Sequence, residues 1–487
     1  MTQSPSSSRH SNILAIPPPH VLIPYTRILN MGGSPSSIAS CLDRICVGRM
    51  DCVAHRGDWL YQAQWVKPYN LDIPVTPAAV MRPRTADEVA RAIHNFGLGG
   101  GDGGLMIDLR NFDHFSMDND TWEATFGSGF LLGELDKHLH ANGNRAMAHG
   151  TCPGVGMGGH ATIGGIGPSS RLWGTTLDHV VQVEVVTADG KIQRASKTQN
   201  PDLFWALQGA GASFGIITEF VVRTEPEPGS VVEYTYSVSL GKQSDMAPLY
   251  KQWQALVGDP NLDRRFTSLF IAEPLGVLIT GTFYGTMYEW HASGIPDKLP
   301  RGPISVTVMD SLGSLAHIAE KTGLYLTNVP THFASRSLAL RQQDLLSEQS
   351  IDDLFEYMGS TNADTPLWFV IFDNEGGAIA DVPDNSTAYP HRDKVIVYQS
   401  YSVGLLGVTD KMIKFLDGVQ DIVQRGAPNA RTTYAGYINP ELDRKVAQQF
   451  YWGDKLPRLQ QIKKQYDPNN VFRNPQSIDP AEDMSDG

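Results

Sequence analysis

Alternating apolar and polar residues predict a β-hairpin in the first half of the chain. Residues 180–186 alternate in this way, the Ala-Asp-Gly sequence at 188–190 is a turn sequence, and residues 191–195 alternate again. Residues 201–207 begin with proline and carry apolar residues at helical spacing, and residues 214–222 have the composition of a buried strand. These elements predict a compact α+β unit.

The amino-terminal part of the chain shows less regularity. Residues 1–70 contain Ser- and Pro-rich stretches and are predicted to be irregular. Thr85 and the acidic residues after it form a capping sequence, and Val89 and Ile93 share one face of the helix that follows. This helical pattern ends abruptly at His94.

The spacing of apolar residues changes after a Pro- and Glu-rich segment at 224–229, which we interpret as a domain boundary. Strands are predicted near 231–240, 266–285, 366–373 and 395–403, and helices near 244–257 and 409–424. Residues 441–478 are again helical in pattern. The sequence therefore predicts a second domain built on an antiparallel sheet, followed by a helical tail.

Net charge and composition narrow the class of partner. The 487 residues carry a formal net charge of -13, which disfavours nucleic acid and anionic membranes because both require clusters of Lys and Arg. No apolar run approaches the roughly 20 residues of a membrane-spanning helix, and the Pro-interrupted amino terminus is no convincing signal peptide. We expect a small-molecule partner, no nucleic acid and no membrane.

Glycine clusters around one isolated cysteine, Cys152. The run at 149–167 contains the spacing GxGxxG through Gly154, Gly156 and Gly159. It is no Rossmann motif, because no apolar strand precedes it and the glycines that end it disfavour a following helix. Such a loop exposes backbone amides that can line a diphosphate or a planar ring. The alternative is a flexible loop that buries an inert thiol.

Several motifs together resemble one flavoprotein family. The sequence Cys152-Pro-Gly-Val-Gly-Met-Gly-Gly-His160 is followed by Gly164-Gly165, and further matching segments are Asn95-Phe-Gly-Leu-Gly-Gly, Leu203-Phe-Trp-Ala-Leu, Pro390-His-Arg-Asp393 and Asn474-Pro-Gln-Ser-Ile478. They resemble the berberine-bridge-enzyme-like branch of the vanillyl-alcohol-oxidase/p-cresol-methylhydroxylase family. Within that branch the chain is most similar to the glucooligosaccharide and chitooligosaccharide oxidases.

The resemblance implies an α+β fold with a p-cresol-methylhydroxylase-type FAD-binding domain and an antiparallel-sheet substrate domain. The carboxyl-terminal segment is expected to return to the FAD domain. The implied divisions are an irregular region at 1–70, the FAD-binding domain at 71–225, the substrate-binding domain at 226–432 and the berberine-bridge-like segment at 433–480.

The resemblance also implies how FAD is held. Cys152 corresponds to the sulfur that is bonded to carbon 6 of the flavin ring, which anchors the flavin and raises its potential. The remaining implied FAD contacts, mostly through backbone, are Gly154, Val155, Gly156, Gly158, Gly159, His160, Gly164, Gly165, Gly215, Ile216 and Ile217. Val155 matches a position where the family uses a small residue to admit oxygen, which favours an oxidase over a dehydrogenase.

A catalytic pair follows from the same resemblance. Tyr437 in Tyr434-Ala-Gly-Tyr437 resembles the base of the family's paired-tyrosine strand, and Asp373 resembles its partner carboxylate. The implied reaction oxidises the anomeric hydroxyl of an oligosaccharide to a lactone, with oxygen as the acceptor and hydrogen peroxide as product. On the residues alone, a tyrosine such as Tyr437 is more commonly packed against a sheet, and Asp373 is equally a turn residue.

One expected segment is missing. Family members carry a Gly-Gly-His turn, with the histidine bonded to the flavin methyl group, where this chain runs directly from His94 to Asn95. Cys152 is then the expected single covalent link to FAD, and Cys41 is unpaired unless Cys46 or Cys52 takes it. Two other functions stay open: oxidation of a secondary metabolite, and a degenerate member without catalysis. The resemblance suggests a secreted protein.

Overall fold

The computed structural model describes residues 35–73, 75–95, 103–239, 241–300, 302–321 and 329–482. Up to residue 226 the elements are α1 (Pro35–Ile45), β1 (Val53–His55), β2 (Ala79–Met81), α2 (Ala86–Asn95), β3 (Leu105–Ile107), β4 (Phe115–Met117), β5 (Glu123–Gly127), α3 (Leu132–Ala141), β6 (Arg145–Ala146), α4 (Met157–Ile163), α5 (Ser170–Trp173), α6 (Thr176–His179), β7 (Val180–Val186), β8 (Ile192–Ser196), α7 (Pro201–Ala210), β9 (Ile216–Arg223) and β10 (Glu225–Pro226). Helices and strands are mixed here, as expected of the predicted α+β unit.

Two larger sheets and the two-stranded pair of β6 and β10 organise this first part. Strands β1, β2 and β3 form a three-stranded sheet, and a five-stranded sheet has the order β4-β5-β9-β7-β8. The predicted hairpin is confirmed, since β7 and β8 pair antiparallel with Val186 opposite Ile192. Leu135 of α3 and Phe204 of α7 are buried in the same core cluster as Phe220 of β9. Helices α3 and α7 are therefore held by the apolar face of the five-stranded sheet.

The second part is built on one large sheet. Its elements are β11 (Val231–Ser239), α8 (Ala247–Val257), β12 (Phe266–Glu273), β13 (Gly276–Tyr284), α9 (Met287–Ala292), α10 (Ile295–Lys298), β14 (Ile304–Met309), α11 (Ser311–Lys321), β15 (His332–Arg341), α12 (Glu348–Ser360), β16 (Trp368–Asn374), α13 (Ala378–Asp381), β17 (Lys394–Gly404) and α14 (Asp410–Gly426). The antiparallel sheet has the order β14-β11-β13-β12-β16-β17-β15.

Helices cover one face of this sheet. Tyr250 of α8 packs against Phe270, Phe355 and Phe372, with ring centroids 5.1, 5.8 and 4.5 Å away. Because side chains alternate along a strand, the neighbours of Phe372 on β16, Ile371 and Asp373, lie on the opposite face. That second face is half-buried and positions the candidate site.

The tail returns to the first part, as expected. Helices α15 (Arg444–Trp452) and α16 (Leu456–Tyr466) follow α14. The Trp452 indole donates to the Gly209 carbonyl over 2.9 Å, and Lys463 Nζ donates to the Ser213 carbonyl over 2.7 Å. Within the described residues no helix is both long and apolar enough to cross a membrane. The domain limits at 70, 225 and 432 stay a proposal.

Some local predictions were wrong. Residues 1–70 are not wholly irregular, because α1 and β1 form where the chain is described. The Gly-rich run contains α4, since Met157–Ile163 completes a short helix before Gly164 ends it with a φ of 137°. Strand β15 was missed because its sequence does not alternate: Arg336 and Ser337 are both buried. Hydrogen bonds to Asp417 and Glu441 satisfy the arginine.

Candidate functional site

The Gly-rich run is fixed by hydrogen bonds from both parts of the molecule. Leu132 N donates to the Val155 carbonyl over 2.9 Å, and Gly165 N donates to Tyr434 Oη over 3.0 Å. Gly165 has a φ of 79°, and a Cβ there would lie 2.2 Å from Thr176 Oγ1. Glycine is required at this position both by conformation and by space. The run is an ordered loop.

An open cavity of about 380 Å³ lies beside this loop. Its walls are Trp65, Val66, Lys67, Met106, Ile107, Asp108, Leu109, Arg110, Ser128, Gly156, Gly158 and Gly159. A Cβ added at Gly156 or Gly159 would meet no atom within 4 Å, so the backbone of the loop faces free space. Ser128 Oγ donates to the Ile217 carbonyl over 2.6 Å, which places the start of β9 at the same wall. A Gly-lined cavity with exposed amides fits a dinucleotide such as FAD.

His160 has a structural task within the loop. Its Nε2 accepts a hydrogen bond from Gly150 N over 2.8 Å, and burial lowers the pKa of His160 to about 3. The ring is therefore neutral and its Nε2 is occupied. Its expected contact with FAD stays a prediction, as do those of the glycines and of Val155, Ile216 and Ile217.

Cys152 lies where the loop meets the large sheet. The disulfide of the described chain joins Cys46 to Cys52, so Cys152 carries a thiol, and Cys41 is left unpaired. Burial and, after it, the charge of Cys152 raise the pKa of Tyr69, and burial with the charges of Tyr69 and Cys152 raises that of Tyr401. The sulfur is thus close to Tyr401 on β17 and to Tyr69, which precedes β2.

Tyr437 lies on a turn and not on the expected strand. Tyr437 N donates to the Tyr434 carbonyl over 3.0 Å, and no strand includes either tyrosine. Gln399 Nε2 donates to Tyr437 Oη over 3.1 Å, and Tyr401 Oη donates to Gln399 Oε1 over 2.8 Å. The amide nitrogen of Gln399 therefore orients Tyr437, and its amide oxygen orients Tyr401. The Tyr437 oxygen accepts this bond and keeps its own proton for another partner.

Two carboxyl groups lie near Tyr437. Burial raises the pKa of Asp373 to about 7, and burial together with the charge of Asp373 raises the pKa of Glu375 well above its usual range. Burial, followed by the charge of Asp373, also raises the pKa of Tyr437 well above 10. Tyr437 is therefore protonated at neutral pH, and Asp373 titrates there.

The open face of the sheet combines aromatic and aliphatic side chains. Phe369 and Tyr401 lie opposite each other on β16 and β17, with ring centroids 4.9 Å apart and stacked. Ile371 lies opposite Gln399 on one side and Ile271 on the other. Trp368 and Tyr398 are buried on the helix-covered face, because the strand alternation places them there.

The structure brings together Cys152, Tyr437 and Asp373, and it adds Gln399 and Glu375, which sequence reasoning missed. The alternation in β17 carries a signal for Gln399, because it puts this amide between Tyr401 and Val397 on one face. The junction after His94 lies outside the described side chains. The described residues contain no group of three or more His, Cys, Asp or Glu residues that could hold a metal ion.

Comparisons with known proteins show which families and proteins this chain resembles. The chain matches a model described as FAD binding domain over residues 92–196 and one described as berberine and berberine like over residues 433–479. It is 34% identical to the FAD-linked oxidoreductase sorD of Penicillium rubens, over 91% of this chain and 99% of that protein. It is 30% identical to the xylooligosaccharide oxidase of Thermothelomyces thermophilus, over 94% and 98% of the two chains.

Solved structures are similar as well. A chitooligosaccharide oxidase superposes with a TM-score of 0.83 at 27% identity, over 92% of this chain and 100% of that chain. The glucooligosaccharide oxidase of Acremonium strictum, described as carrying a 6-S-cysteinyl, 8α-N1-histidyl FAD, superposes with a TM-score of 0.80 at 27% identity, over the same shares. The fold is therefore the predicted p-cresol-methylhydroxylase type.

Proposed function

Because the chain belongs to the berberine-bridge-enzyme-like family of FAD-linked oxidases, we propose that it oxidises the anomeric hydroxyl of an oligosaccharide to a lactone. Oxygen is the proposed acceptor and hydrogen peroxide the second product. The observation that carries the proposal is the hydrogen-bonded series Tyr401–Gln399–Tyr437 next to Asp373, on the sheet face that meets the Cys152 loop.

FAD is the cofactor, and when bound it would supply the acceptor for the hydride of the reacting carbon and the donor of electrons to oxygen. The residues proposed to hold it are Cys152, through its sulfur, and the backbone of Gly154, Gly156, Gly158 and Gly159. The open space beside Gly156 and Gly159 supports this assignment. Val155 is 38% exposed, which fits the proposed access of oxygen.

Tyr437 is the group proposed to accept the proton of the substrate hydroxyl. Gln399 fixes the Tyr437 oxygen as an acceptor, so that oxygen can take a proton only as it gives its own away. Asp373 is the proposed recipient, because its pKa of about 7 lets it ionise at neutral pH. A neutral tyrosine between an alcohol and a carboxylate moves the proton without becoming a stable phenolate.

The sugar is proposed to lie against Phe369 and Tyr401. Stacked aromatic rings at a half-buried site bind the apolar faces of sugar rings. A second candidate, a hydroxyl-bearing secondary metabolite with an apolar body, is favoured by Ile371 and Ile271 on the same face. These side chains offer no hydrogen bond to a sugar hydroxyl.

Two measurements test the proposal. Flavin absorbance that survives acid precipitation is expected, and a colourless protein would indicate the degenerate, non-catalytic alternative. Oxygen consumption is then measured with cello-, chito- and xylo-oligosaccharides and with hydroxylated aromatic compounds. Peroxide formed with a sugar series supports lactone formation. A flavin-loaded protein that responds to the aromatic compounds alone would replace it with the second candidate.

A further inference from the structure

Positive side chains collect at one wall of the cavity beside the Gly-rich loop. The cavity is lined by Lys67 and Arg110, and its one lining carboxylate among the described residues is Asp108. Asp108 already binds two arginines, Arg82 at 3.0 Å and Arg110 at 2.7 Å. Lys67, Arg110 and Arg82, which Asp108 also binds, thus carry three positive charges against this one carboxylate, in a protein whose net charge is -13. This wall attracts an anion with about two negative charges.

Lys67 differs from the two arginines because no carboxylate within the described ranges pairs with its ammonium group. Arg82 is further held over the Trp65 ring, 3.8 Å from its centroid. Lys67 is exposed at the cavity wall. Its charge is therefore available to a ligand in the cavity, whereas those of Arg82 and Arg110 are partly neutralised.

The backbone at Lys67 is held in an unfavourable conformation. Its φ is 48° and its ψ 62°, although it precedes Pro68, and a residue before proline normally avoids this region. The π-helical turn Tyr61–Val66 imposes it, since Lys67 N donates to the Gln62 carbonyl over 2.8 Å. Strain of this kind, and π-helical turns, occur preferentially where a side chain is aimed at a ligand.

We propose that Lys67, with Arg110 as its neighbour, binds the diphosphate of FAD in the cavity that the Gly156–Gly159 backbone also lines. The diphosphate has two negative charges, which match the surplus of positive charge at this wall. Lysine serves as a point charge for phosphate, and the glycine amides complete the anion site. The inference rests on FAD as the cofactor but not on the reaction assigned to Tyr437.

The experiment measures flavin affinity and not turnover. The full chain carrying Cys152→Ser, in which flavin binds reversibly, is titrated with FAD and with riboflavin, which lacks the diphosphate. Lys67→Met is compared with Lys137→Met, an exposed lysine of α3 that changes the net charge equally. Loss of one charge-assisted contact corresponds to an increase in Kd of about 10- to 100-fold. We expect this increase for FAD in Lys67→Met alone, with no change for riboflavin in either variant.

A charge-retaining variant provides a second control. Lys67→Arg should keep the FAD Kd within about 3-fold of the parent, because the positive charge is preserved. Circular dichroism and thermal unfolding establish that the variants are folded. An unchanged FAD Kd in Lys67→Met, or an equal loss of FAD and riboflavin, would overturn the proposal. So would a folded parent that binds neither flavin. Tyr437→Phe should bind FAD normally, so failure of the reaction assignment gives a different result.

Discussion

The Gly-rich loop and the Tyr437 cluster are built in opposite ways. The loop at 149–167 is one continuous segment whose ligand-facing groups are backbone amides. Tyr437, Gln399 and Asp373 come from a turn and two strands that only the tertiary fold brings together. A loop made of backbone can hold a large ligand but has little acid–base chemistry, whereas the cluster can move a proton. Mutations in the two regions should therefore fail in different ways.

The largest expected effect is in the loop. Cys152→Ser removes the sulfur proposed to anchor FAD, so flavin that survives gel filtration and acid precipitation should disappear. Absorbance of the redissolved precipitate at the flavin band measures it. Cys41→Ser is the matched control, since Cys41 also forms no disulfide. A coloured precipitate from Cys152→Ser would mean that another residue carries the flavin.

A mutation in the Tyr437 cluster should lower the turnover rate while FAD stays bound. Tyr437→Phe removes the oxygen that receives the substrate proton, and loss of a general base lowers kcat by about 10²- to 10⁴-fold. Peroxide formation gives the rate, and the ratio of flavin to protein serves as the control. A parallel loss of flavin and activity would contradict the division of labour between the two regions.

The fold was predictable wherever the apolar pattern is local. The β7–β8 hairpin, α14 and most strands of the large sheet follow from alternation or helical spacing. Strand β15 was not predictable in this way, because its buried Arg336 is compensated by Asp417 and Glu441, which are far away in sequence. Pairing partners of that kind appear only when the chain is folded.

The two regions of the site differ in the same respect. The Gly-rich run can be recognised from the sequence, since positions 164 and 165 require glycine because of their local conformation and their close neighbours. Gln399 is an ordinary polar residue until the register of β16 and β17 places it opposite Ile371 and next to Tyr437. Glu375 escapes notice because a glutamate before two glycines resembles a turn residue.

The pH dependence of turnover should report Asp373. Its folded-state pKa is raised from 3.8 to about 7, so the carboxylate that receives the proton of Tyr437 is present above about pH 7 and lost below it. We expect kcat to fall about tenfold per pH unit on the acid side. The raised pKa of Tyr437 keeps the alkaline limit far away.

Asp373→Asn tests this assignment. In this variant the fall of kcat at acid pH should disappear, and kcat should be low at all pH values. Between about pH 4 and 7 the unfolding free energy of the parent should fall with rising pH relative to that of Asp373→Asn, because the unfolded chain ionises Asp373 before the folded chain does. An acid limb that persists in Asp373→Asn would assign it to another group, with Glu375 the next to be replaced.

The smallest effect is expected at Gln399, which touches the reaction only through Tyr437. Gln399→Leu removes two neutral hydrogen bonds, to Tyr437 and from Tyr401, and a neutral hydrogen bond contributes about 1 kcal/mol. We expect kcat to fall about 5- to 30-fold with KM changed little, since Gln399 orients the proton acceptor. Gln399→Glu has the same shape, but its carboxylate offers only hydrogen-bond acceptors. Tyr437 would then donate its hydrogen bond to this carboxylate instead of to Asp373. This variant should therefore be slower than Gln399→Leu, and a rate for Gln399→Glu equal to that of the parent would show that the amide does not orient Tyr437.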